Sequence, residues 1–163
     1  MTRLTEELFR YSLAADLPEL KLEPVDLRRC LEESLVSFYA AMVQRGITPE
    51  ISMPEGPVVR SLDPSAASRI FGNIISNALK YSGGDFSAAL DSRGTVVFSN
   101  SAHGLDPVSA GKLFDRFYTV ETGRGSTGLG LSIARLLTER LGGSIQASWA
   151  EGRLDITVAF PDT

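Results

Sequence analysis

Apolar residues recur every three or four positions in three segments of the chain, which predicts three amphipathic helices. The segments are residues 27–43, 64–81 and 129–141. Asp26 and Asp63 stand immediately before the first two segments, where an N-cap is expected, and a proline follows Asp63. The middle segment has the widest apolar stripe, so we expect that helix to bury a whole face.

Shorter stretches in which apolar and polar residues alternate predict six or seven β-strands. Several are separated by tight turns, such as residues 91–94, so neighbouring strands are expected to pair as antiparallel hairpins. This favours an α+β fold: a two-layer α/β sandwich in which a mixed, mostly antiparallel sheet is covered on one face by about three helices. The predicted strands are residues 20–25, 47–53, 58–61, 86–90, 95–99, 144–149 and 153–160.

The first residues form a separate amphipathic segment. Leu4 and Leu8 are at helical spacing within residues 2–13, and Pro18 follows. No second helical segment comes closely enough to form a hairpin with it, so we interpret residues 1–16 as the remnant of a longer helix. The other residues, 17–163, are about the size of one typical domain.

Composition excludes several classes of function. The chain has 16 Lys and Arg against 20 Asp and Glu, a net charge of −4, which argues against a nucleic-acid-binding protein. No apolar run reaches the ~20 residues of a membrane span. A single cysteine, Cys30, excludes an internal disulfide framework, and a single histidine, His103, leaves little scope for a histidine-based metal site. We expect a cytoplasmic domain without membrane contact.

Polar residues gather on one side of the predicted helix 64–81. At ~100° per residue, Arg69, Asn73, Asn77 and Lys80 fall within an arc of roughly 80°. Two asparagines four positions apart present amide oxygens, which hard cations prefer, and a lysine one turn further reaches a phosphate. The alternative is an ordinary solvated face of an amphipathic helix.

A glycine-rich stretch, residues 125–131, runs directly into the last predicted helix. Glycines allow close approach of a ligand to the backbone, and a helix N-terminus attracts anions, so the stretch predicts a phosphate site. The alternative is a flexible turn. Residues 123–128 also match the dinucleotide-binding pattern G-x-G-x-x-G, but too little chain follows for the remainder of such a fold.

Residues 100–127 form a long irregular region, which in a compact domain is usually functional. An aromatic cluster at residues 114–118 lies within it and could serve only as a hydrophobic anchor. Arg116 and Arg124 flank the glycine-rich stretch and could meet phosphate charge, or could simply be solvated. His103 is more typical of a structural or exposed histidine than of a catalytic one.

Three motifs, taken in order, resemble those of the ATP-binding catalytic domain of bacterial sensor histidine kinases. Residues 73–81 are similar to the asparagine box, residues 114–117 to the phenylalanine box and residues 125–131 to the second glycine box. Larger relatives are the gyrase-type, heat-shock chaperone and mismatch-repair ATPases. The resemblance covers about residues 20–160 and implies a Bergerat-type ATP-binding fold with ATP and Mg²⁺ as cofactors.

The resemblance also implies the roles of individual residues. Asn77 would be the magnesium ligand, Asn73 would lie close to the metal and the triphosphate, and Tyr81 would line the nucleotide pocket. Residues 118–127 would form a lid over the phosphates. The implied catalytic residues are Asn73, Lys80 and Arg116, and the implied ATP-binding residues are Asn73, Asn77, Lys80, Tyr81, Asn100, Gly104, Phe117, Arg124, Gly125, Ser126, Thr127, Gly128, Leu129 and Gly130.

The resemblance implies transfer of a phosphoryl group to a protein. The ATPase relatives carry a glutamate base where this chain has Asn73, which favours transfer to a protein acceptor over hydrolysis. The acceptor would be a histidine on a separate dimerisation element of the same kinase, to which residues 1–16 would lead. A response regulator and a membrane-bound sensor would complete the system. Without the acceptor element, this chain should not phosphorylate itself.

One motif departs from the family pattern. Where the first glycine box has an aspartate that binds the adenine amino group, this chain has Asn100, and Ala102 replaces a glycine. An asparagine amide can still accept a hydrogen bond from that amino group. This departure keeps open a nucleotide-binding or protein-interaction module without kinase activity. An anti-sigma-type serine kinase of the same superfamily is a further alternative.

Overall fold

The chain contains both helices and strands in the structure, a computed structural model that describes residues 20–102, 108, 110, 112–114 and 130–162. The short amphipathic segment at residues 2–13 lies outside this part. The elements are β1 (Glu23–Asp26), α1 (Leu27–Ser37), α2 (Tyr39–Gln44), β2 (Glu50–Ser52), β3 (Val59–Leu62), α3 (Pro64–Tyr81), β4 (Ser87–Leu90), β5 (Thr95–Ser101), α4 (Gly130–Arg140), β6 (Ser144–Ala150) and β7 (Arg153–Ala159).

The main sheet has five strands in the order β2-β4-β5-β7-β6. The β2–β4 pair is parallel and the other pairs are antiparallel, so the predicted mixed, mostly antiparallel sheet is confirmed. The parallel pair exists because α3 carries the chain back across the sheet between β2 and β4. Strands β1 and β3 form a separate two-stranded antiparallel sheet.

Two sequence-based expectations are corrected. The apolar pattern of residues 27–43 predicted one helix, but the helix is interrupted at Phe38, which has φ −102° and ψ 3°. Phe38 ends α1, and its N–H donates to the carbonyl oxygens of Leu35 and Val36. The break lets both Phe38 and the fully buried Met42 contact the core. The neighbouring strands β2 and β3 do not pair with each other as a hairpin would, because they belong to different sheets.

Helix α3 begins and ends as its sequence predicts. Asp63 is the N-cap, and its Oδ1 accepts a hydrogen bond of 3.1 Å from the N–H of Ala66. Pro64 occupies the first turn, where its missing N–H costs nothing. Ser82 ends the helix, donating from its N–H to Ala78.

The core lies between the helices and one face of the main sheet. Along β5 every second residue is buried, so Val96, Phe98 and Asn100 point into the helical layer. Phe71 of α3 meets Phe98 there with ring centroids 5.9 Å apart. At the opposite end of β5 the turn needs Gly94, which has φ +88° and whose Cβ would lie 2.5 Å from the carbonyl oxygen of Phe160.

The irregular region contributes part of this core. Val108 and Ala110 are helical, and Ala110, Leu113 and Phe114 are buried. Phe114, the described member of the aromatic cluster, therefore belongs to the core, which agrees with the hydrophobic-anchor interpretation for this residue. Among the residues that the structure describes, no helix is long and apolar enough to span a membrane.

Candidate nucleotide-binding site

The polar face of α3 meets the beginning of α4. Asn73 donates from Nδ2 to the carbonyl oxygen of Gly130 over 2.9 Å. Gly130 is the first residue of the helix that follows the glycine-rich stretch, so the fold brings two separately predicted parts of the site into contact. Because Gly130 engages the amide nitrogen of Asn73, the Oδ1 atom is the end of this amide that can accept hydrogen bonds or bind a cation.

Asn77 lies one turn further along α3, and its Nδ2 atom is buried without a hydrogen-bond partner in the described part of the chain. Leaving a buried amide group unpaired costs about 1–3 kcal/mol, so this side chain favours a partner supplied by a ligand. Rotation of the amide by half a turn exchanges its nitrogen and oxygen, so the same position can offer an oxygen.

This donor set fits a magnesium ion bound together with phosphates. Mg²⁺ usually takes only one or two protein ligands and fills its other positions with phosphate oxygens and water. The described residues contain no group of three or more His, Cys, Asp or Glu side chains that could hold a metal by themselves. An amide oxygen from Asn77, with phosphate oxygens supplied by a nucleotide, is the arrangement that suits this face.

Lys80 and Tyr81 occupy the C-terminal turn of α3. The Nζ atom of Lys80 lies 5.8 Å from the centroid of the Tyr81 ring, within the range of a cation–π contact. Helical periodicity puts Lys80 on the same face as the two asparagines, where its positive charge can attract phosphate. Arg69, at the opposite end of that face, is exposed.

Asn100 lies near the end of β5 and faces the helical layer, with only 2% of its surface exposed. Its Nδ2 donates to the carbonyl oxygen of Ser101 over 2.9 Å. The next residue, Ala102, is held on both sides: its N–H donates to the carbonyl oxygen of Gly152 and its own carbonyl oxygen accepts from Nε1 of Trp149, each over 2.8 Å. The strand end that carries Asn100 is therefore fixed by the β6–β7 hairpin.

A polar network that sequence reasoning missed joins this strand end to α3. The Oδ1 atom of Asp85 accepts hydrogen bonds from Ser101, 2.8 Å from its N–H and 2.6 Å from its Oγ. Its Oδ2 atom accepts from Nη1 of Arg153 over 2.7 Å. Ser82 and Gly83, directly after α3, also contribute: Oγ of Ser82 lies 3.3 Å from Oδ1 of Asp85, and the N–H of Gly83 donates to Oγ of Ser101 over 3.1 Å.

The network keeps the Asp85 carboxylate ionised. Burial by itself raises the pKa of Asp85, but the hydrogen bonds from Ser101 and the contact with Arg153 outweigh it and hold the pKa well below its usual range. The short polar sequence after α3 signals a turn, but nothing in the sequence pairs residue 85 with residues 101 and 153. The β5–β7 register, which sets Ser101 opposite Arg153, makes that pairing possible.

Several predicted site residues lie outside the described residues, so their roles stay predictions. The described members, Asn73, Asn77, Lys80, Tyr81, Asn100 and Gly130, all belong to α3, the end of β5 or the beginning of α4. The others are Gly104, Arg116, Phe117, Arg124, Gly125, Ser126, Thr127, Gly128 and Leu129, together with the lid segment 118–127.

Known proteins are similar to this chain in sequence and in architecture. Residues 62–163, more than half of the chain, match the family of histidine kinase-, DNA gyrase B- and HSP90-like ATPases. The signal transduction histidine-protein kinase BaeS of Escherichia coli strain K12 is 31% identical over 172 residues. That match covers 99% of this chain but 37% of BaeS, so the chain spans just over a third of this relative's length.

Solved structures show the same fold. The catalytic domain of histidine kinase ThkA superposes with a TM-score of 0.79 at 21% identity, covering 88% of this chain and 97% of that domain. Full-length ShkA, in a complex with AMPPNP, superposes with a TM-score of 0.77 at 21% identity, covering 98% of this chain and 36% of ShkA. These structural likenesses show the fold, and the match of residues 62–163 to the family model shows that the chain belongs to the family of histidine kinase-, DNA gyrase B- and HSP90-like ATPases, with sequence similarity to sensor histidine kinases.

Proposed function

We propose that this chain is the ATP-binding catalytic domain of a sensor histidine kinase. It binds ATP with Mg²⁺ and donates the γ-phosphoryl group to a histidine on a separate dimerisation element of the same kinase. The observation that carries the proposal is the Nδ2 atom of Asn77, which is buried without a hydrogen-bond partner among the described residues and lies on the α3 face that also carries Asn73 and Lys80. The complex of the structural relative ShkA with AMPPNP, an analogue of ATP, supports the choice of ligand.

Each side chain has a task in this proposal. Asn77 holds the magnesium ion, which neutralises phosphate charge when bound, and Lys80 adds a positive charge at the phosphates. Tyr81 and Asn100 bind the nucleoside, and Asn73 fixes the beginning of α4 through Gly130. Because an asparagine cannot remove a proton from water, Asn73 favours transfer to a protein acceptor over hydrolysis.

The remaining assignments follow from the same proposal. Residues 17–163 form the catalytic domain, and residues 1–16 are the end of the helix that leads from the dimerisation element. Arg116, Arg124 and the glycine-rich residues 125–130 close over the triphosphate. A response regulator receives the phosphoryl group from the acceptor histidine, and the domain works in the cytoplasm beneath a membrane-bound sensor.

Titration calorimetry with AMPPNP, with and without Mg²⁺, tests the nucleotide site. We expect magnesium-dependent binding that becomes roughly tenfold weaker or more in Asn77→Ala, because an interaction with a charged ligand is lost. Ser76→Ala is the matched control, because Ser76 is the neighbouring residue of α3 but is exposed. Equal binding by all three proteins, or binding independent of Mg²⁺, would contradict the assignment of Asn77.

Phosphoryl transfer needs its own test. The chain is mixed with ATP and with the separately produced dimerisation element of the full-length kinase. We expect an acid-labile phosphohistidine on that element and none in its absence. An acid-stable phosphoserine would instead indicate a serine kinase.

A second candidate function is favoured by Asn100 and Ala102, which depart from the first glycine box. In that case the domain is an interaction module without kinase activity. It predicts no magnesium-dependent binding of AMPPNP at millimolar concentration, so the calorimetric experiment distinguishes the two candidates.

A further inference from the structure

Asn100 creates a problem of orientation that an aspartate would not have. Both ends of a carboxylate accept hydrogen bonds, whereas an asparagine accepts only through its oxygen and donates through its nitrogen. An asparagine at a base-binding position therefore recognises a defined partner only if something fixes which end of the amide faces that partner.

The carbonyl oxygen of Ser101 supplies that constraint. It accepts the hydrogen bond from Nδ2 of Asn100, and because a carbonyl only accepts, the amide oxygen cannot replace the nitrogen there. The side chain is almost completely buried, so packing also limits its rotation. Oδ1 is thus the end of the Asn100 amide that can accept a hydrogen bond from a base.

Ser101 itself is held at four points. Its N–H and Oγ donate to the carboxylate of Asp85, and its Oγ and carbonyl oxygen accept from the N–H of Gly83 over 3.1 and 3.3 Å. On the far side, Arg153 binds the other carboxylate oxygen of Asp85. This arrangement, which we call the Asp85 network, ties the end of β5 to the turn that follows the asparagine-bearing helix α3.

We propose that Asp85 and Ser101 are positioning residues of the nucleotide site, which orient the Asn100 amide so that the site selects adenine over guanine. Adenine carries an amino group at C6, which can donate to Oδ1 of Asn100. Guanine carries a carbonyl oxygen at C6, so two acceptors, this oxygen and Oδ1 of Asn100, would face each other without a hydrogen bond. The inference rests on the proposed function, because it assumes that Asn100 faces the base.

The test compares the affinities for AMPPNP and the corresponding guanine analogue, both with Mg²⁺, by calorimetry. We expect the unaltered chain to prefer the adenine nucleotide roughly ten- to hundredfold. Asp85→Ala should lower this preference to roughly threefold or less. Ser101 then loses its hydrogen bonds to the carboxylate, so its carbonyl oxygen no longer holds the Asn100 amide in one orientation. Asp85→Asn, which keeps an acceptor for Ser101, should restore most of the preference.

The matched control is Asp91→Ala. Asp91 also accepts backbone hydrogen bonds with its carboxylate, from Arg93 and Thr95 over 2.9 and 3.0 Å, but it stands at the opposite end of β5. Asp91→Ala should lower the free energy of unfolding without changing the ratio of the affinities for the adenine and guanine analogues. Should Asp85→Ala fail to fold, Ser101→Ala, which removes only the hydroxyl, should shift the ratio in the same direction by a smaller factor.

The outcomes separate the two proposals. Magnesium-dependent binding of AMPPNP with the same nucleotide ratio in folded Asp85→Ala and Ser101→Ala would overturn the role of the Asp85 network and leave the proposed function standing. An equal change of the ratio in Asp91→Ala would also overturn it, because the effect would then be one of general stability. Binding of neither nucleotide by the unaltered chain would overturn the proposed function and, with it, this inference.

Discussion

Three asparagines show how the surroundings of a single residue decide what the same amide group can do. The Nδ2 atom of Asn73 donates to the carbonyl oxygen of Gly130, and the Nδ2 atom of Asn100 donates to the carbonyl oxygen of Ser101. The Nδ2 atom of Asn77 is buried without a partner in the described part of the chain. The first two amides are oriented by the protein. Asn77 is therefore the member of this set that a ligand would stabilise most.

Gly83 gives a prediction at the residue scale. A Cβ atom added there would lie 2.8 Å from Oγ of Ser101, closer than real contacts allow. Gly83→Ala should displace that hydroxyl from Asp85 and lower the free energy of unfolding by about 1–3 kcal/mol, measured by urea denaturation. Gly56→Ala is the matched control, because a Cβ there meets no atom within 4 Å. Equal stability of the two variants would show that Ser101 adapts without cost.

At the scale of the elements, α3 combines two roles. The apolar face packs against the sheet, and Ile70, Phe71 and Ile74 on it are fully buried. The polar face carries the residues predicted to bind the nucleotide. The predicted bounds of this helix agree with the structure because both ends have strong local signals, the Asp63 cap and the end of the apolar periodicity. Helix α1 lacked such a signal, because Phe38 continues the apolar periodicity through the break.

The cap of α3 gives the prediction at this scale. Asp63 accepts hydrogen bonds from the N–H of Ala66 and from the N–H of Lys21, the second over 3.0 Å. Asp63→Ala should lower the free energy of unfolding by about 1 kcal/mol, measured by urea denaturation, because an N-cap is lost.

Glu139→Ala is the control for this capping prediction. It removes an exposed ion pair with Arg135 on α4 and should cost less than about 0.5 kcal/mol, since solvent screens such pairs. A cost for Asp63→Ala no larger than that of Glu139→Ala would contradict the capping role.

At the scale of the whole molecule, the Asp85 network links parts of the chain that are distant in sequence. Asp85 follows α3, Ser101 ends β5 and Arg153 begins β7. These residues become neighbours because the five-stranded sheet places β5 beside β7 in a fixed register. The network therefore reports on whether the sheet and α3 are assembled together.

The pH dependence of stability tests this link. Hydrogen bonds and Arg153 hold the pKa of Asp85 below the unfolded value of ~3.9, so ionised Asp85 stabilises the folded state at pH above that value. As the pH falls below about 4 toward the folded-state pKa, this contribution is lost. The difference in unfolding free energy between the unaltered chain and Asp85→Asn, measured by urea denaturation, should be constant from about pH 7 to 5 and shrink below about 4.

Arg153→Gln serves as the control for this pH experiment. It removes a cation that lowers the pKa of Asp85, so ionised Asp85 should contribute less stability, and that contribution should be completely lost at a higher pH than in the unaltered chain. Because both side chains are nearly half exposed, at 48% and 42%, the shift should be smaller in 1 M salt. A difference between the unaltered chain and Asp85→Asn that persists unchanged to pH 3 would contradict the role of the carboxylate.

Local sequence determined most of the elements and the part of the candidate site that lies on α3. Helical periodicity is a property of neighbouring residues, so it placed Asn73, Asn77 and Lys80 on one face and predicted the bounds of α3. Strand alternation likewise predicted that the sheet would bury one face. These features need no knowledge of distant residues, because they follow from 3.6 residues per helical turn and two per strand repeat.

Tertiary structure decided which elements meet. The strand order β2-β4-β5-β7-β6, the separation of β3 from β2 and the contact of Asn73 with Gly130 depend on how apolar faces pack. The Asp85 network depends on them too, because strand register brings Ser101 opposite Arg153. A side chain's own sequence neighbours set its direction along an element, but its partner across the fold is set by the packing of the whole core.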